Sequence, residues 1–94
     1  MIRVLIERHI AVSLESAYEE CSRSVLRQAI DATGFVSGET LVDASDPNHR
    51  LTLCNWRSSA DWDRWYHSAE RKELMANLLP MMDKEEKVTV LKQS

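Results

Sequence analysis

The chain has 94 residues, 44% of them hydrophobic and 29% charged, with a net charge of -3. Those proportions belong to an ordinary globular protein, and the length suits one domain, residues 1–94, with a modest core that buries roughly 60–65% of its unfolded surface. The charge balance lacks the basic footprint of a nucleic-acid binder, and no apolar run approaches the ~20 residues of a membrane span.

The opening MIRVLIERHI carries Arg3, Glu7 and Arg8 and no long apolar stretch. It does not read as a signal peptide, so a cytoplasmic location is expected. Residues 2–10 alternate as a strand does. Ile2, Val4, Ile6 and Ile10 fall on one face, interrupted by Arg8, and Arg3, Leu5, Glu7 and His9 fall on the other. The segment SLESAYEECSRSVLRQAIDATG reads as a helix of about five turns. Ser13 is the starting signal, Ala17, Tyr18, Cys21, Val25, Leu26, Ala29 and Ile30 form the apolar stripe, and Gly34 is the stop.

FVSGETLVD is a second strand, with a bulge expected at Gly38. ASDPNH is a turn, and RLTLCNWR is a third strand that pairs with the second. Ser58 to Asp61 has the outline of a capping box opening a short helix through Tyr66. Ser68 caps another helix, with Leu74, Met75, Leu78, Leu79 and Met82 as its stripe. The charged turn DKEEK leads into a last strand, VTVLK.

The order predicts an α+β, ferredoxin-like βαββαβ fold: a four-stranded antiparallel sheet with helices on one face. Leu5 points away from Val4 and Ile6, and Leu41 away from Val42, so the sheet is apolar on both sides. A sheet of that kind needs a second cover, and the simplest is another copy packed face to face about a two-fold axis.

Cys21 and Cys54 form no CxxC pair, and His9, His49 and His67 show no ligand spacing. Both cysteines are expected free, and no metal is expected. With only Gly34 and Gly38, there is no GxGxxG for a flavin or nicotinamide.

Four of the six aromatic residues, Trp56, Trp62, Trp65 and Tyr66, fall within eleven positions. A strand ending in NW, then RSSADWDRWYHS, then the helix AERKELMANLLPMM, resembles the antibiotic biosynthesis monooxygenase domain. The resemblance rests on Trp56-x-Ser58 at the strand-to-helix turn, an aromatic at Trp62, and Trp65 nine residues after Trp56. It implies a dimeric α+β barrel with a cleft between helices and sheet. It also implies oxidation of an electron-rich phenol or quinol without a cofactor. A haem-degrading branch of the family surrounds haem with a Trp, an Asn and a His. Only the Trp matches, at Trp65, because Arg8 and Met75 stand at the other two positions.

The candidate site therefore has Arg8, Trp65 and His67 as catalytic groups, with Trp56, Trp62, Tyr66 and Met75 against a small aromatic substrate. Each has a plainer reading. The aromatic side chains and Met75 can be core, and His67 can be a solvent-facing junction residue. Arg8 can pair with Glu15 or Asp61, and Glu7 with Arg3 or Arg57. In the functional reading Arg8 stabilises a phenolate or enolate, and His67 accepts a proton near neutral pH. A non-catalytic binding or dimerisation module is the rival function.

Overall fold

The computed structural model describes all 94 residues. Its elements are β1 (Ile2–His9), α1 (Glu15–Ile30), β2 (Phe35–Asp43), β3 (Asp46–Trp56), α2 (Ser59–Tyr66), α3 (Ala69–Leu78) and β4 (Lys87–Lys92), with a 3-10 turn at Leu79–Met81. The strands form one antiparallel sheet in the order β2-β3-β1-β4. This is the α+β, ferredoxin-like arrangement read from the sequence.

Alternation in β1 decides which side becomes the core. Ile2, Val4, Ile6, Arg8 and Ile10 are all buried. They pack with Tyr18, Val25 and Ala29 of α1, Trp62 and Trp65 of α2, and Met75 and Leu78 of α3. In register with Val4 and Ile2, Cys54 and Trp56 of β3 point to the same side. The opposite face carries Leu5, Leu51 and Leu53, all half-buried in the single chain, with Leu41 and Leu91 exposed.

Ser58 and Ser68 each accept a backbone N–H from three residues on, at 3.1 Å, so both expected caps are present. The start of α1 differs. Ser13 has φ 79 and no capping role; Leu14 precedes the helix without a side-chain cap. The Glu15 carboxylate meets backbone N–H groups of its own residue and of Ser13 instead, and these hold it below the usual carboxylate range.

Three further expectations are corrected. Helix α1 ends at Ile30, and Gly34 turns the chain into β2 rather than closing the helix. Strand β3 already begins at Asp46, so the turn shrinks to Ala44 and Ser45, where Ser45 bonds the Asp43 carboxylate through backbone and hydroxyl. The irregularities of β2 lie at Phe35–Ser37 and Val42–Asp43, not at Gly38. A side chain at Gly38 would press on Leu26 and the Phe35 ring, so this glycine makes room for packing.

The α1 and α3 stripes also shift. Ile30 and Leu79 are exposed, while Ser22 and Arg71 are buried. No helix is long and apolar enough to cross a membrane.

Candidate active site

A cavity of about 30 Å³ lies between the sheet and the helices. Ile6, Thr52, Cys54 and Trp56 form its floor, Ser22, Val25, Leu26 and Ala29 of α1 one wall, and Trp62, Trp65 and Arg71 the other. Space of that size holds a water or two; a cavity that takes benzene measures about 150 Å³.

The tryptophans are both core and wall. Trp56 is 1% exposed and stands at the centre of the group. Its ring lies 5.7 Å from Trp62 and 6.5 Å from Trp65, with Phe35 edge-on at 5.3 Å. Such spacings give the offset and edge contacts that aromatic rings prefer. The Trp56 indole N–H donates to Cys54 Sγ at 3.3 Å. Burial pushes the Cys54 thiol up, against smaller opposite effects of that bond and the nearby guanidinium charges, so it stays protonated at neutral pH.

Arg8 reaches across the interior. Its Nε donates to Glu86 Oε2 at 2.8 Å, Nη1 to the Tyr18 hydroxyl at 3.1 Å, and Nη2 approaches the Met75 sulfur at 3.8 Å. An ion pair is what the plainer reading required, but its partner is Glu86 rather than Glu15 or Asp61. The reason is position. Glu15 bonds Asn48, Asp61 pairs with exposed Arg64, and the loop before β4 brings Glu86 over the end of β1.

Arg71 binds the other carboxylate oxygen, Nη2 to Glu86 Oε1 at 2.8 Å. Its guanidinium lies 4.8 Å from the Tyr66 ring centre and 5.9 Å from that of Trp62. Burial acts to raise the Glu86 carboxyl, but the two guanidiniums outweigh it and hold the group below its ordinary range. Burial likewise opposes the charge on Arg8, and Tyr18 and Glu86 more than restore it. Two cations against one carboxylate leave one positive charge beside an apolar cavity.

Of the sequence candidates, Arg8, Trp56, Trp62 and Trp65 come together around this cavity. Tyr66 stands behind it against Arg71, and Met75 is buried beside Arg8. His67 does not join them. It is exposed at the end of α2, with Nδ1 bonded to the Asp63 carbonyl at 2.9 Å. Glu7 pairs with His49, not with Arg3 or Arg57.

Sequence reasoning passed over Arg71, Glu86 and Tyr18. Arg71 left a signal: Leu74, Met75 and Leu78 lie three, four and seven residues on, so it interrupts an apolar stripe as Arg8 does. Glu86 left none, since it reads as one charge in a solvated turn.

The family description for antibiotic biosynthesis monooxygenase matches residues 1–77. The chain belongs to this family. No curated protein matches it. Solved structures share the fold at low identity. A conserved protein from Methanosarcina mazei Go1 superposes with TM-score 0.91 at 17% identity, over 99% of this chain and 92% of that one. SnoaB, a cofactor-independent oxygenase from Streptomyces nogalater, gives 0.87 at 10%, over 98% and 91%. Rv0793 from Mycobacterium tuberculosis gives 0.87 at 16%, over 99% and 94%.

Proposed function

We propose that the protein is a small monooxygenase-like enzyme that oxidises an electron-rich phenol or quinol in this cavity without a cofactor. One observation carries the reading: a tryptophan-walled cavity with a net guanidinium charge on its wall. A phenolate is a far better one-electron donor to oxygen than its phenol. A positive wall in a low-dielectric interior favours the ionised form and holds it as the electron leaves. The balanced outcome is one phenol with a free para C–H and one O2 giving a quinone and water, or one quinol with a free ring C–H and one O2 giving a hydroxyquinone and water. The likeness to SnoaB, a cofactor-independent oxygenase, supports the chemistry.

A volume of about 30 Å³ is too small for a flat ring, so binding one demands movement. Trp65 also borders an outer cleft of about 260 Å³, formed with Asp31, Asp61, Arg64 and Glu70. Rotation of this side chain joins the two spaces and admits a flat ring. We also propose that the open sheet face, with Leu5, Leu51, Leu53, Leu41 and Leu91, is covered by a second copy of the chain.

The test is oxygen uptake with a panel of naphthols and naphthohydroquinones, alongside their methyl ethers. Uptake with the free phenols alone, slowed in a Trp65→Ala variant, is expected. A second reading, a non-catalytic module, draws on the small cavity. Saturable binding without oxygen uptake would favour it and sink the enzyme.

A further inference from the structure

Arg8 and Arg71 look alike in charge and burial, being 3% and 6% exposed. They differ in what remains free. All three nitrogens of Arg8 face a partner, in Glu86, Tyr18 and Met75. The Nε of Arg71 is buried and has none. Buried donors in folded proteins find partners, so an orphan donor on a residue that lines the cavity marks a place for an acceptor. The guanidinium is faced by Tyr66 and Trp62, and Glu86 takes one of its in-plane N–H groups.

We propose that Arg71, rather than Arg8, selects the charge of the ligand, and that the ligand is a flat aromatic bearing one ionised oxygen accepted onto Arg71 Nε. This rests on the reading that the cavity takes a flat aromatic. The charge count sets the class. One surplus positive charge is neutralised by a monoanion, whereas a neutral ligand leaves it uncompensated and a dianion reverses it. An arginine N–H to an anionic oxygen is among the stronger hydrogen bonds, more so away from water. Arg8 then acts as a positioning residue that holds Glu86, and through it Arg71.

The experiment compares 4-nitrophenol with 4-nitroanisole, which has the same ring but cannot ionise. Nitrophenolate absorbs in the visible, so the charge of the bound ligand is read directly. With the wild-type protein both ligands bind, and bound nitrophenol ionises about one pH unit or more below the free compound, an about tenfold preference for the anion. Arg71→Gln abolishes that shift while leaving 4-nitroanisole affinity within about threefold, a difference below the tenfold step of 1.4 kcal/mol. Arg71→Lys keeps the charge but lacks the Nε–H, and its shift is smaller than wild type. This variant carries the test if Arg71→Gln does not fold.

A bound nitrophenol with an unshifted titration, or a full shift in either variant, overturns the role of Arg71. In that case a water on Nε suffices and the aromatic cavity stands. Failure of both ligands to bind the wild type removes the cavity reading and this inference with it.

Discussion

Arg8 and Arg71 share one carboxylate, each bonding a different oxygen of Glu86 at 2.8 Å. The first comes from β1 and the second from α3, while Glu86 lies just before β4. A single acid thus ties the sheet to the helical layer. Replacing it leaves two buried cations facing each other.

Glu86→Gln should therefore cost about 3–5 kcal/mol, the usual penalty for breaking a buried ion pair from one side. Urea unfolding followed by tryptophan fluorescence measures it, and a loss under about 1 kcal/mol would count against the latch. The sign with pH follows from the lowered carboxyl. Its contribution is full above the unfolded carboxyl value of about 4.3 and fades as pH falls through the folded value. The variant should lose less stability than the wild type over that acid range.

The fold was legible because its signals are local and repeated. Alternation in β1, the serines at 58 and 68, and the helical spacing of Trp62 and Trp65 each point to the same architecture. Half the site was legible for the same reason. An arginine at position 8 breaks an apolar strand face, and such a break asks for a partner. The partner itself was not legible, because Glu86 is 78 residues away and its burial depends on how the last loop folds over β1. Arg71 carried a readable signal that the apolar neighbours Leu74, Met75 and Leu78 obscured. His67 shows the converse error. Adjacency in sequence to Tyr66 placed it near the site, but the helix ends there and turns its ring outward.

On the open sheet face, His49 sits between two acids. Nδ1 is 2.9 Å from Asp43 Oδ2, and Nε2 is 3.3 Å from Glu7 Oε1, with His9 stacked on the ring at 4.6 Å. Both ring nitrogens face groups that only accept, which suits the imidazolium. The Asp43 bond chiefly raises His49 and holds Asp43 itself at about 2.

A raised histidine stabilises fully below its unfolded value of about 6.5 and loses this as pH rises through the folded one. A lowered aspartate stabilises above about 3.9 and loses it as pH falls. The pair is therefore at full strength from about pH 4 to 6.5. An NMR titration of His49 should show a midpoint above 6.5, and Asp43→Asn should bring it down. An unshifted wild-type midpoint would dismiss the arrangement.

Gly34 links the backbone to the aromatic wall. Its φ is 87, its carbonyl accepts the Arg57 N–H at 2.8 Å, and an added Cβ would collide with the Asp61 carboxylate. That carboxylate accepts from the Ser58 hydroxyl at 3.0 Å, while the Asp61 N–H donates to Ser58 Oγ in the cap of α2. Gly34→Ala thus forces a left-handed alanine, costing about 1–2 kcal/mol, and pushes Asp61 out of its place. Disturbing the cap adds about 1 kcal/mol, the amount expected for Ser58→Ala alone. Trp62 and Trp65 ride on this helix, so their fluorescence should change in the folded Gly34→Ala protein as well as in its unfolding midpoint. Because both substitutions weaken one cap, the double variant should lose less than the two single losses combined. Strict additivity would mean that Asp61 yields without moving α2.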